Sequence, residues 1–198
     1  MGSQAMVGVP RLVGRGTMLA VARYVALLRG INVGRNKRVA MADLRQLLTG
    51  LGYADVRTHL QSGNAVFEAA GQTAGKVAGD IERAILDRFG FEVKVLVRTR
   101  GELATVVAAN TLPTTDGAKL HVAFLDAAPA KASLAGVDPA DYEPEQFQVG
   151  KRELYLWCAN GVIESKIMKE LSEKRLQRVM TARNWNTVNR LLELMAGP

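Results

Sequence analysis

Three short segments carry the residues whose types and spacing could do chemistry. They are Arg29-Gly-Ile-Asn-Val-Gly34, Gln61-Ser-Gly-Asn64 and Arg183-Asn-Trp-Asn-Thr187, each beside an apolar run. Arginine, asparagine and glycine collect where a backbone turns sharply and polar groups converge. Glycine lets backbone N–H groups approach a ligand closely, and successive N–H groups with a nearby cation hold an anion. The pattern predicts an anion-binding constellation. Its members are Arg29, Gly30, Asn32, Gly34 and Lys37 in the first segment, Ser62, Gly63 and Asn64 in the second, and Arg183, Asn184, Asn186 and Thr187 in the third. Arg38 adjoins Lys37, and Lys166 follows Ser165 near a further helix start. The same residues also read as turn and cap formers, with Asn64 in a tight turn, Asn186 capping a helix and Arg183 pairing with an acid of the middle of the chain. Trp185 reads first as a core anchor and second as a platform for a stacked base.

Stronger catalytic signatures are missing. His59 and His121 are the only histidines, and neither Cys-x-x-Cys nor His-Glu-x-x-His occurs, so no metal or other cofactor is expected. Gly30-x-x-x-Gly34-x-x-Lys37 has neither the spacing nor the Lys-Ser/Thr pair of a Walker loop. Ser62 lacks the glycine two places before it that a nucleophile elbow needs, since Leu60 stands there. Cys158 is the one cysteine and follows Trp157 in an apolar run, which suits a buried small hydrophobe in a reducing cytosol.

Charge is unevenly spread along the 198 residues and their net +7. Residues 1–101 hold 15 Lys/Arg against 7 Asp/Glu, residues 102–148 hold 2 against 7, and residues 151–190 hold 9 against 4. Basic ends favour phosphate-bearing partners: a nucleotide, a nucleic acid or a phosphorylated small molecule. No apolar stretch approaches membrane-spanning length, so no membrane partner is expected. The oligomeric state is not legible. Residues 1–21 read as an N-terminal extension or expression remnant, broken by Pro10, Arg11, Gly14 and Arg15.

The elements that must position these residues follow from periodicity. Tyr24 to Leu28 reads as a buried strand, and Met41, Leu44, Leu47, Leu48 and Leu51 as a helix stripe stopped by Gly52. Val56–Gln61 and Ala65–Phe67 read as a hairpin, and Val77, Ile81, Ile85 and Phe89 as a second helix. A strand is expected over Phe91–Val97. Thr99 and Glu102 form a capping box that starts a connecting helix to about Asn110. The order then recurs. A strand is expected at Leu120–Leu125, a short helix at Lys131–Gly136 and a hairpin from Glu145–Val149 and Glu153–Cys158. A helix through Ile163, Ile167 and Leu171 follows, then a closing strand at Gln177–Thr181 and a last helix through Val188, Leu191, Leu192 and Met195. The fold class expected is α+β, two tandem ferredoxin-like βαββαβ repeats packed together with a C-terminal helix. The repeats occupy 22–98 and 119–198, joined by a helix and loop over 99–118. Each four-stranded sheet would have one bare face, to be buried against the other half or behind the extra helices.

Tyr24-Val-Ala-Leu-Leu-Arg-Gly-Ile-Asn-Val-Gly34, Leu60-Gln-Ser-Gly-Asn-Ala-Val-Phe67 and Thr181-Ala-Arg-Asn-Trp-Asn-Thr-Val188, with Met41-x-x-Leu44 and Leu51-Gly52 between, resemble the DUF1697 family of bacterial proteins. The resemblance covers about residues 22–195. His59 departs from it, since similar proteins tend to carry an aromatic such as tyrosine there, and so does Gly161–Ser165. The family has no established function. The resemblance implies a two-repeat α+β fold and a cytosolic bacterial setting, and no substrate. Three functional readings remain. One is a cytoplasmic protein binding a phosphate-bearing ligand through Arg29, Lys37, Asn64 and Arg183. Another is an enzyme acting on a small phosphorylated or carboxylated metabolite, with Ser62 or Thr187 on substrate and Asp43 or Glu68 as base. The third gives the motifs the role of locking the two halves together.

Overall fold

The computed structural model describes residues 20–34 and 36–197. The expected extension over 1–21 lies outside them except for its last two residues. The first half runs β1 (Val21–Leu28), α1 (Met41–Gly50), β2 (Ala54–His59), β3 (Asn64–Ala70), α2 (Ala74–Phe89) and β4 (Val95–Thr99), with α3 (Arg100–Ala108) connecting. The second runs β5 (Leu120–Leu125), β6 (Gln146–Val149), β7 (Glu153–Trp157), α4 (Lys166–Glu170), α5 (Glu173–Leu176) and β8 (Met180–Asn184), followed by α6 (Trp185–Leu194). Two short 3-10 segments, Lys131–Leu134 and Pro139–Tyr142, stand between β5 and β6.

Two four-stranded antiparallel sheets result, ordered β2-β3-β1-β4 and β6-β7-β5-β8. In each, the first strand of its half lies between the third and the fourth. Three cores stack around them. Alternate residues of a strand face opposite ways, and β1 is buried on both sides from Tyr24 to Leu28, which is why that part of its sequence is a continuous apolar run. Tyr24, Ala26 and Leu28 enter an outer core with Leu44 and Leu48 of α1 and Val77, Ile81 and Ile85 of α2. Val25 and Leu27 enter a central core with Leu120, Val122 and Phe124 of β5, Leu103 and Val106 of α3, and Val188, Leu191 and Met195 of the last helix and its end. Ala123 and Leu125 enter the third core with Leu154, Leu156, Cys158, Ile167, Leu171 and Leu176. The bare sheet faces are thus buried in one core that the connecting and terminal helices complete.

Local signals act as expected at several ends. Thr99 and Glu102 close a full capping box on α3. Thr73 caps α2, and Gly90 ends it at φ +76°. Several boundaries differ from the sequence expectation, β2 among them, which runs Ala54–His59 rather than Val56–Gln61. β4 begins at Val95, not Phe91, because its ladder partner β1 ends at Leu28, opposite Val95. The 131–136 helix is a 3-10 segment of four residues. Ser165 caps α4 by accepting from the Met168 N–H, so Ile163 stays outside the helix and is 81% exposed. The closing strand is displaced to Met180–Asn184, which puts Arg183 on a strand, opposite Val122 of β5.

Candidate functional site

Leu28 ends β1, Gly63 and Asn64 end the turn into β3, and Arg183 comes one residue before the end of β8. These three places, up to 155 residues apart, meet at Arg183. Its side chain is only 7% exposed. Nε donates to Asn64 Oδ1 at 2.5 Å. Nη1 donates to the Thr181 hydroxyl at 2.7 Å and to the Ala182 carbonyl at 2.8 Å. Nη2 donates to the carbonyls of Leu28 at 2.9 Å, Ser62 at 3.1 Å and Gly63 at 3.3 Å. The acid expected to pair with Arg183 is absent from this set; oxygen dipoles from both halves take its place. Burial lowers the Arg183 pKa to about 10, which still leaves a cation at neutral pH.

Asn64 is fully buried and holds the turn from inside. Its Nδ2 donates to the His59 carbonyl at 2.8 Å and the Ser62 hydroxyl at 3.0 Å. Gly63 has φ +78°, and a Cβ there would lie 2.8 Å from both Leu28 Cβ and Ile31 Cδ1, so no other residue fits. Asn32, itself at φ +57°, ties the first loop to this turn. Its Nδ2 donates to the carbonyls of Val39 at 2.9 Å and Gln61 at 2.7 Å, and its Oδ1 accepts from the Val39 N–H at 2.9 Å.

The exposed cations lie on the outer side of this frame. Lys37 donates Nζ to the Glu92 carbonyl at 2.8 Å. Arg29 forms an ion pair with Glu173 of α5. Arg38 is exposed and lines a shallow cavity of about 330 Å³ with Asn32, Val39, Ala40 and Gln61. Ala40 is the N-cap of α1 and offers its free N–H groups no side-chain acceptor. Gly30 and Gly34 are exposed parts of the same loop.

The third segment divides. Asn184, not Asn186, caps α6, its Oδ1 accepting from the Thr187 N–H at 2.9 Å. Asn186 packs away from the cavity, where a Cβ on Gly117 would lie 2.1 Å from its Oδ1. Thr187 is buried, and Trp185 packs partly buried on the central core, as a core anchor does. The two proposed bases are engaged elsewhere: Asp43 pairs with Arg88 and Glu68 with Arg23. Ser165 and Lys166 belong to the start of α4 and are not among these contacts. The residue that sequence reasoning missed is Arg98 of β4, 2% exposed and discussed below. Its signal was present: Arg98-Thr99, an arginine and a cap residue between a strand and a helix, matches Arg183-Asn184.

A model of the family described as a protein of unknown function, DUF1697, matches residues 21–155. The chain belongs to the DUF1697 family. No curated protein matches it. Among solved structures, this DUF1697 chain is similar to the conserved bacterial protein SP0830 from Streptococcus pneumoniae, at 22% identity and a TM-score of 0.69, over 89% of this chain and 99% of that one. At that identity the likeness concerns the fold alone.

Both histidines border the site's strands, and burial lowers the pKa of both. His121, opposite Asn184 in the β5–β8 ladder, has its pKa lowered by burial. His59, opposite Asn64, is lowered by burial and then by Arg190. Below the ordinary value of 6.5 the unfolded DUF1697 chain takes up protons that the folded chain refuses, so acid favours unfolding. The melting temperature is expected to fall as pH drops through that value, and His121→Gln should flatten part of the slope. An identical pH profile for the variant would exclude His121 as a source.

Proposed function

We propose that this protein binds a phosphate-bearing ligand, a nucleotide or a strand of nucleic acid, at the cavity under Arg38. The observation that carries this is Arg38 itself. Among the described residues it has no hydrogen-bond or ion-pair partner, and it shares its cavity with the uncapped start of the ten-residue helix α1. A helix start and a free guanidinium are both suited to phosphate oxygens. Lys37 adds charge from the same loop, which also carries Arg29, Gly30 and Gly34. Arg183, Asn64 and Asn32 act on this reading as the frame that fixes the loops, with Ser62 and Gly63 supplying carbonyls to it.

Two further readings belong here. The shared strand order and the matching central position of β1 and β5 support two tandem ferredoxin-like repeats. A cytoplasmic setting is supported by the single buried cysteine, and no helix among the described residues is long and apolar enough to cross a membrane.

The test is binding of pyrophosphate, ATP and a labelled single-stranded RNA, measured against salt. Binding should weaken with salt, and Arg38→Glu should lower the affinity while reducing the log–log salt slope by about 1. Its melting temperature should stay that of the parent. No binding to any of the three probes, or equal binding by Arg38→Glu, would overturn the reading.

A further inference from the structure

We infer that the cavity between α3 and the β6–β7 hairpin is a second, independent site, and that it takes the carboxylate of a small acid. This cavity of about 480 Å³ is lined by Arg98, Glu102, Thr105, Lys151, Arg152 and Glu153, with Val106 at its base. Arg98 occupies in β4 the place that Arg183 occupies in β8: it lies opposite Val25 of β1, as Arg183 lies opposite Val122 of β5. Its contacts correspond. Nη2 donates to the carbonyl that ends β5, Leu125, at 2.6 Å and to that of Arg152, just before β7, at 3.2 Å. Arg183 reaches the carbonyls of Leu28, which ends β1, and Gly63, just before β3. Nη1 of each donates to the carbonyl of its preceding residue, Val97 for Arg98 and Ala182 for Arg183.

The correspondence fails at one atom. Arg183 Nε is satisfied by Asn64, the residue that opens β3 opposite Leu27. The residue that opens β7, opposite Phe124, is Glu153. Its carboxylate turns back on its own hairpin, Oε1 accepting from the Lys151 N–H at 3.1 Å and Oε2 from the Arg152 N–H at 3.0 Å. Arg98 Nε therefore has no partner among the described residues. It is not one of the sealed, unpartnered polar atoms, which are Arg23 Nη1, the Tyr53 hydroxyl and Gln72 Oε1, so it opens to solvent on the cavity that Arg98 lines. An N–H of a buried guanidinium that is open on a cavity donates to water there, or to a ligand oxygen that displaces it.

Charge selects the kind of oxygen. Both acids of the wall are engaged: Glu102 accepts from the Thr99 N–H at 2.8 Å and from Arg152 at 2.5 Å, and Glu153 holds the two hairpin amides. The exposed Lys151 ammonium and Arg98 Nε remain for a ligand. A singly charged carboxylate oxygen replaces the amide oxygen of Asn64 with a gain of charge, whereas a doubly charged phosphate would meet two glutamates at close range.

The experiment follows the arginine Nε–H resonances of the full chain by NMR while acetate replaces chloride at constant ionic strength. The Arg98 signal, assigned by through-bond correlation to its own side chain, should shift along a saturating curve while that of Arg183 stays. Lys151→Gln, an exposed change, should weaken acetate by about three- to tenfold. Glu153→Asn, which gives β7 the residue that opens β3, should fill the Nε position from within and suppress the response. Arg38→Glu should leave the titration as it is, which separates this site from the phosphate reading. An Arg98 signal that does not move, or moves without saturating, overturns the inference. So does a curve unchanged in both Lys151→Gln and Glu153→Asn.

Discussion

Arg183→Met is expected to destabilise the protein by about 3–5 kcal/mol, because it leaves several buried oxygen acceptors without their donor at about 1–3 kcal/mol each. Six acceptors receive hydrogen bonds from this side chain, and they come from β1, the β2–β3 turn, the start of β3 and β8 itself; of these the Gly63 carbonyl has a second donor in the Leu28 N–H. Methionine fills much of the volume and satisfies none of them. Arg183→Lys should recover less than half of the loss, since an ammonium has three donors on one point and cannot span acceptors set around a planar fork. Denaturant midpoints at an unchanged slope give the measurement. A loss below about 1 kcal/mol, the scale of one ordinary hydrogen bond, would show that Arg183 is not what joins the halves here. A phosphate probe should still bind Arg183→Lys wherever the protein remains folded, since the side chain is enclosed by protein atoms.

Gly63→Ala is the second large effect, at about 2–4 kcal/mol, combining a left-handed backbone with overpacking. The methyl would meet Leu28 Cβ at 2.8 Å, an atom fixed by the end of β1. The Gly63 carbonyl also accepts from the Leu28 N–H at 2.8 Å and from Arg183, so a shift of the turn disturbs both. Gly34→Ala is the control. Its φ is +64° but nothing lies within 4 Å of the added Cβ, so its cost should stay near about 1 kcal/mol. Equal losses at the two positions would mean that backbone conformation alone, and not the contact with β1, makes Gly63 necessary.

How far the sequence reveals these features depends on the range of the interaction. The capping box at Thr99, the Gly90 helix end and the stripes of α1 and α2 are local, and each is visible in its own few residues. The meeting of Arg29–Asn32, Ser62–Asn64 and Arg183 is legible as a shared composition, because turns and buried polar groups select the same residue types. What composition does not show is direction. Arg183 points inward at carbonyls and Arg38 outward at a cavity, and the direction of Arg183 follows from β8 running through Met180–Asn184 rather than Gln177–Thr181. One register step exchanges the faces of a strand, and the weak apolar pattern of Met180-Thr-Ala-Arg-Asn184 leaves that step unmarked. Asn184 and Asn186 are both good caps by type, and only the start of α6 decides between them. The signal for Arg98 is the arginine and cap pair Arg98-Thr99 alone, with no glycine or asparagine beside it to mark a polar junction.

The central core has a consequence for synthesis. Val25, Leu27, Val66 and Leu96 emerge early, but Val188, Leu191 and Met195, which help cover them, come last. At about 5–20 residues per second, the apolar back of the first sheet is exposed for several seconds on the ribosome before its cover exists. That face closes only when residues 185–195 leave the exit tunnel, and shortening the chain within that stretch would leave Val25, Leu27 and Val66 without part of their cover.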